Sequence, residues 1–161
     1  MHPAAATVVE QLGLTAHPEG GYFREFYRSE QRVTREGQDR QKPALTGIYF
    51  LLHSGQQSRW HCVRSDEQWT FLEGDPLELF SITQDGGELK RSLLGPRAAG
   101  HQPTLVVPAG SWQAARPTGG YGLVTCTVAP GFEYADFQFL ADNPDALKRM
   151  RAALGVLESL L

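Results

Sequence analysis

A histidine and a glutamate in the stretch WHCVRSDEQW, residues 60 to 69, are the side chains of this sequence best suited to chemistry. His61 and residue 63 point to one face of a strand, because successive side chains of a strand alternate between faces. After a hairpin, Glu67 on the next strand returns a carboxylate to the same interior. An imidazole beside a carboxylate is an acid–base pair, and both groups are also metal donors. The pattern predicts a site centred on His61 and Glu67.

Aromatic residues accompany this pair along both strands. By alternation, Trp69 and Phe71 share the face of Glu67, so we expect them to line the same interior, either as core or stacked on a ligand ring. Trp60 and Trp112 fall on the opposite face and point outward. Large outward aromatic side chains need a cover, which a helix, the N-terminal strand or a second subunit would provide.

The segment HPEGGYFREFYRS, residues 17 to 29, offers a positively charged group. Alternation places Arg24 and Arg28 on one face of a strand with Tyr22 and Phe26. If this face is the inner one, Arg24 is a candidate for binding an anionic ligand such as a carboxylate or phosphate. A salt-bridged edge strand is the alternative interpretation.

The elements that must position these residues are mostly strands. Short apolar runs separated by turn residues fill the middle of the chain, and no helix-length pattern interrupts them, which favours an antiparallel sandwich or barrel of the jelly-roll kind. A short helix is predicted near the N-terminus. A longer one is predicted from about Pro144 to Leu160, because Asn143 is a good N-cap. We expect Leu147, Met150, Leu154 and Leu157 to pack it against the sheet.

Composition narrows the function classes. The 161 residues suit a single domain, residues 1–161, and carry a net charge of −3. This charge argues against a general nucleic-acid binder, since phosphate contacts need an excess of Lys and Arg. The longest aliphatic and aromatic run, Ile48 to Leu52, is far too short to span a membrane. The N-terminus does not have the pattern of a signal peptide, so we expect a cytoplasmic location.

The spacing around His61 resembles the first motif of the cupin superfamily, Gly-x5-His-x-His-x3or4-Glu-x6-Gly. Gly55, His61, Glu67 and Gly74 match it, and Val63 stands where the second histidine belongs. The segment PAGSWQ resembles the end of the second motif, Pro-x-Gly-x2-His. Pro108 and Gly110 match, and Gln113 takes the place of the histidine.

Four segments together resemble one cupin family of unknown function: HPEGGYFREFYRS, SRWHCVRSDEQW, VVPAGSWQAA and CTVAPGFEYADF. This resemblance implies an all-β, antiparallel jelly-roll β-barrel, often dimeric, related in fold to sugar-nucleotide epimerases. It also implies a divalent metal held by three histidines and a carboxylate. Here only His61, Glu67 and the neutral amide of Gln113 occupy those places, so we expect no tightly bound cofactor, with weak binding of a divalent metal as the alternative.

Two main hypotheses of function follow. The first is a small-molecule-binding cupin, a homodimer whose cavity holds a polar or sugar-like metabolite, with Trp69, Phe71 and Gln113 contacting the ligand. The second is an isomerase or epimerase in which His61 is the general base, Glu67 orients it and Tyr134 returns the proton. A metal-dependent cupin enzyme is a further alternative, disfavoured by Val63 and Gln113.

Overall fold

The computed structural model describes residues 1–160, apart from the side chains of residues 152 and 156 to 158. The described residues form thirteen strands between two α-helices, with short 3₁₀-helices in the connections. The helices are α1 (Pro3–Leu12) and α2 (Pro144–Leu154). The strands are β1 (Thr15–Ala16), β2 (Tyr22–Arg28), β3 (Arg32–Thr34), β4 (Gln41–Pro43), β5 (Thr46–His53), β6 (Ser58–Val63), β7 (Asp66–Gly74), β8 (Leu77–Ile82), β9 (Lys90–Leu94), β10 (Thr104–Val107), β11 (Trp112–Pro117), β12 (Tyr121–Ala129) and β13 (Phe137–Phe139).

Two antiparallel sheets form the predicted jelly roll. One has the order β1-β2-β5-β12-β7-β10 and the other the order β13-β6-β11-β8-β9, while β3 and β4 form a separate hairpin. The sheets are not joined into a closed barrel, so the architecture is an open one. Alternating residues of both sheets, among them Phe50, Trp69, Leu79 and Val124, fill the space between them. The expected all-β fold is confirmed.

Each sheet has a helix on its outer face. The helix α1 packs on the first sheet, where Ala5 lies against Leu51 and Leu123. Its first turn is capped by the His2 imidazole, and it ends at Gly13 in the left-handed conformation. None of the helices in residues 1–160 is long and apolar enough to cross a membrane.

The outward tryptophans are covered by the C-terminal helix of the same chain. Trp60 and Trp112 point out of the sandwich as predicted, and they are buried in a cluster that includes Met150 and Leu154 of α2. This cover removes the reason that the sequence offered for a second subunit at this face. The homodimer therefore stays a prediction without that support.

The C-terminal helix is shorter than predicted. It begins after the Asn143 cap, whose side chain accepts a hydrogen bond from the Ala146 amide, and it ends at Leu154 because Gly155 takes a positive φ of 49°. A 3₁₀-helix then continues to Leu160, which is buried. Met150, Leu154 and Leu147 pack on the sheet as expected, whereas the predicted contact of Leu157 lies outside the described side chains.

Truncating the buried methionine of α2 tests this packing. We expect Met150→Ala to lower the free energy of unfolding by about 2–5 kcal/mol, because it removes a fully buried side chain from the cluster around the tryptophans. The exposed Lys148→Ala on the same helix is the control and should change it by less than about 0.5 kcal/mol. Urea denaturation measures both, and equal stability of the two variants would contradict the assignment.

Candidate functional site

A cavity of about 290 Å³ lies between the two sheets. Most of the exposed surface of its wall is apolar, although polar and apolar residues line it in similar numbers. The apolar wall comprises Phe23, Ile48, Val63, Cys126, Val128, Phe132 and Phe137. The polar lining comprises His17, Glu19, Glu25, Arg28, Thr46, His61, Glu67 and Tyr134.

His61 is held by a buried ion pair. Its Nδ1 lies 2.6 Å from Oε2 of Glu19 and 2.7 Å from the carbonyl oxygen of Arg59. Two oxygen atoms compete for one Nδ1 proton, and the Glu19 oxygen lacks a well-aligned hydrogen bond, so its contact is best described as ionic. His61 is 2% exposed and Glu19 is 6% exposed. Because Nδ1 is engaged in this way, Nε2 is the ring nitrogen left for a ligand in the cavity.

The ion pair keeps His61 protonated. Burial alone would lower its pKa, but the Glu19 carboxylate, with smaller contributions from Glu67 and the Arg59 carbonyl, raises the pKa of His61 to about 9. Burial pushes the pKa of Glu19 upward, yet His61 outweighs it and the pKa of this carboxyl is lowered. At neutral pH the pair is therefore an imidazolium and a carboxylate.

A glycine turn places Glu19 beside His61. Gly20 and Gly21 adopt φ values of 108° and 76°, which side chains rarely tolerate. A Cβ at Gly20 would collide with the carbonyl oxygen of Gln57, so only glycine permits the close approach to the β5–β6 connection. The Glu19 carbonyl also accepts a hydrogen bond from the Arg59 amide at 2.8 Å. The turn therefore fastens Glu19 to the strand that carries His61.

His17 completes this end of the cavity as a neutral group. Its Nδ1 accepts a hydrogen bond from the Glu19 backbone amide at 3.3 Å and lies 3.2 Å from Glu19 Oε1. Burial lowers the pKa of His17, with a smaller contribution from His61, and outweighs the opposite effect of Glu19. Of the two histidines in the cavity, only His61 is therefore charged at neutral pH.

Glu67 is held by a chain of two hydrogen bonds that passes through the Gln113 side-chain amide. The Trp69 indole N–H donates to Oε1 of Gln113 at 3.1 Å, and Nε2 of Gln113 donates to Oε2 of Glu67 at 2.5 Å. An indole can only donate, which orients the Gln113 amide with its nitrogen toward the carboxylate. Burial raises the pKa of Glu67, although His61 and Gln113 partly oppose the shift. Glu67 therefore takes up a proton more readily than an exposed glutamate does.

The predicted site residues separate into three groups. His61, Glu67 and Tyr134 line the cavity, and Tyr134 is 64% exposed. The second group, Trp69, Phe71 and Gln113, faces the interior but lies outside the cavity lining. Trp69 and Phe71 belong to the core, and Gln113 belongs to the hydrogen-bond chain behind Glu67. Arg24 lies on the outer face of β2, with its guanidinium 5.6 Å from the centre of the Tyr49 ring. Arg24 is therefore outside the lining of this cavity, and its binding of an anionic ligand stays a prediction.

A β-bulge explains why a different arginine enters the cavity. Up to Glu25, β2 pairs residue by residue with β5, and Glu25 faces inward; the register then shifts by one at Phe26, so that Arg28 pairs with Thr46. The extra residue inverts the alternation. Arg28 consequently joins Glu25 on the cavity side, although strict alternation predicts it on the face of Arg24.

Sequence reasoning missed His17 and Glu19, and it named Arg28 only together with Arg24, on the strand face opposite Glu25. The signal for the first two was the pair of glycines following His17 and Glu19, since adjacent glycines mark a turn in which the chain approaches another segment closely. No pattern in the sequence marks the bulge that turns Arg28 inward.

Most of the chain is similar to a known protein family. A family model described as Cupin superfamily (DUF985) matches residues 6–140. The chain belongs to this cupin family. A crystal structure of a Shewanella oneidensis protein is 31% identical and has a TM-score of 0.83, covering 99% of this chain and 97% of the other. A hypothetical protein from Leishmania major is 32% identical with a TM-score of 0.78, covering 91% and 97%.

A more distant cupin shows the same fold. A cupin-2 domain protein of Rhodospirillum rubrum is 16% identical with a TM-score of 0.58, covering 91% of this chain and 88% of that one. None of the curated proteins compared with the chain matches it.

The residues of this cupin do not fit the metal centre that the motifs of the superfamily imply. Val63 occupies the second histidine position and lines the cavity beside His61 with an apolar side chain. Both ends of the Gln113 amide are engaged, so the proposed ligand set of His61, Glu67 and Gln113 lacks a free third donor. Among the side chains that the structure describes, no three of His, Cys, Asp or Glu are grouped to hold a metal ion.

Proposed function

We propose that this cupin binds a small molecule with a large apolar part and a polar oxygen group that accepts a hydrogen bond from His61. The observation that carries the proposal is the buried Glu19–His61 ion pair at an otherwise largely apolar cavity. Apolar walls with few, well-placed polar groups are typical of small-molecule sites. The exposed surface of the walls is mostly apolar, which favours a less polar ligand than the sequence suggested.

A proton-transfer activity of the isomerase or epimerase class is the second candidate. It is favoured because two titratable groups of one cavity have pKa values shifted by their surroundings, as acid–base pairs require. The sequence suggested His61 as the base and Glu67 as the residue that orients it. These roles are reversed here, because a protonated His61 cannot be the base. In this candidate Glu67 removes a proton next to a carbonyl, and His61 donates a hydrogen bond to the carbonyl oxygen. Tyr134 stands at the exposed side of the cavity.

Filling the cavity tests the binding function. With benzaldehyde as the probe, we expect saturable binding to the natural protein and at least tenfold weaker binding, about 1.4 kcal/mol, to Val63→Phe, because the larger side chain occupies the space beside His61. Val106→Phe is the matched control, since Val106 is 56% exposed, and it should bind like the parent. Ligand-observed NMR measures the affinities, and circular dichroism establishes that each variant is folded.

Two results would count against the proposed binding. Equal affinity of the natural protein and Val63→Phe, repeated with Val128→Phe on the facing sheet, would show that the probe binds elsewhere. Equal affinity for benzaldehyde and toluene would contradict the hydrogen bond from His61, because toluene has the same ring without the carbonyl oxygen.

A further inference from the structure

We propose that Arg28 is a carboxylate-binding residue of the cavity, and that the ligand is a small monocarboxylic acid whose acid group replaces the Glu25 side chain. This inference rests on the proposed binding function and names its ligand class. It starts from an ion pair that the bulge of β2 brings to the cavity side.

The geometry of this pair is that of a bound carboxylate. Arg28 Nε donates to Oε1 of Glu25 at 2.9 Å, and its NH2 donates to Oε2 at 2.6 Å. The third nitrogen, NH1, donates to the Phe132 carbonyl at 3.2 Å and orients the guanidinium plane. Such two-point contact is how arginine recognises carboxylates in general. Glu25 therefore occupies the position that an acid group of a ligand would take.

Partial exposure makes Glu25 replaceable. The side chain of Arg28 is 43% exposed and that of Glu25 is 36% exposed, in contrast to the fully buried Glu19–His61 pair. Ion pairs at such exposure are weak, because water solvates both partners nearly as well. Glu25 can rotate into solvent at small cost, while NH1 keeps Arg28 in place through Phe132.

The charges in the cavity favour a ligand that replaces the Glu25 side chain over one that binds in addition to it. The cavity holds the carboxylates of Glu19 and Glu25 against the cations of Arg28 and His61, and Glu67 lies beside them. An anion added to this set would be repelled by the glutamates. When a ligand carboxylate takes the place of Glu25, the charge next to Arg28 is unchanged. A phosphate dianion would add a further negative charge, so the same balance favours a monocarboxylate.

The walls define the rest of the ligand. A volume of about 290 Å³ accommodates on the order of ten non-hydrogen atoms, judged from the roughly 30 Å³ that one water molecule occupies. Phe132 meets Tyr134 and Phe137 edge to face, with ring centres 5.1 and 6.0 Å apart. An aryl or branched aliphatic group suits such walls.

Two isosteric probes test the inference with the full-length protein. Hydrocinnamate carries an aryl group and a carboxylate, and hydrocinnamamide is its neutral counterpart. We expect the natural protein to bind the carboxylate about three- to fivefold more tightly than the amide by calorimetry, the usual range for a partly exposed ion pair. Arg28→Gln should abolish this preference while leaving amide binding within twofold. Glu25→Gln should tighten carboxylate binding, because it removes the competing charge.

Arg24→Gln is the matched control, since Arg24 lies on the same strand but on the outer face, and it should retain the full preference. Equal binding of both probes by the natural protein, or a preference that survives in Arg28→Gln, would overturn the inference while the binding of benzaldehyde still supports the cavity. Failure of hydrocinnamate to bind at millimolar concentration would also overturn it, and the proposed function is then decided by the Val63→Phe comparison alone. Circular dichroism of Arg28→Gln establishes that lost preference is not lost fold.

Discussion

Replacing His61 by alanine is expected to lower the free energy of unfolding by about 3–5 kcal/mol, the usual cost of removing one partner from a buried ion pair. The variant would leave the Glu19 carboxylate in the interior, 6% exposed, without its cation. Urea denaturation measures the loss. His53→Ala is the control, because His53 is a partly buried histidine outside the cavity lining, and it should cost much less.

A double variant separates the ion pair from simple loss of packing. Glu19→Gln combined with His61→Gln removes both charges, so we expect it to be more stable than His61→Ala and its total cost to be smaller than the sum of the two single glutamine variants. Additive costs would show that the two groups do not interact in solution and would contradict the ion pair.

The same pair predicts how stability depends on pH. The folded pKa of His61 is about 9 against an ordinary value of 6.5, so its contribution is complete below pH 6.5 and is lost as pH rises through about 9. The pKa of Glu19 is lowered from 4.5, so its contribution is complete above pH 4.5 and is lost as pH falls. We expect the pair to contribute most to stability between pH 4.5 and 6.5. The decline in stability from pH 6.5 to 9 should be shallower in the double glutamine variant. The raised pKa of Glu67 adds a decline of the same sign above pH 4.5, which that variant retains.

Installing histidines at the two vacant motif positions is expected to create a metal site. In Val63→His with Gln113→His, three imidazoles and Glu67 would project into one interior, a ligand set typical of zinc and nickel. The register supports this arrangement, since Gln113 pairs directly with His61 and Val63 lies beside His61 in the cavity. We expect at least a hundredfold gain in affinity for either metal over the natural protein, measured by competition with a chromophoric chelator.

Val106→His supplies the control for this gain, because it adds an exposed histidine away from the cavity and should not raise affinity comparably. A folded double variant that binds metal no better than the parent would mean that these positions do not converge. Stoichiometric metal retained by the natural protein after dialysis against a chelator would mean that other donors complete the site.

Local patterns of the sequence determined the elements and the facing of several site residues. Alternation along β6 and β7 was sufficient to place His61, Val63 and Glu67 toward one interior, because side-chain direction in a regular strand depends only on position. The cap at Asn143 was sufficient to start α2, because capping involves neighbouring residues. These predictions depended on interactions within a few residues of each other.

Tertiary structure decided the partners of those residues. Glu19 reaches His61 because a glycine turn packs against a distant connection, and this contact makes His61 an acid instead of the base that the sequence suggested. The bulge at Phe26 turned Arg28 inward and left Arg24 outside, since one unpaired residue reverses every later side chain of a strand. Helix α2 covered Trp60 and Trp112, where the sequence allowed a partner subunit equally well. Ion pairs, bulges and covering helices depend on contacts between distant segments, which periodicity along the chain does not encode.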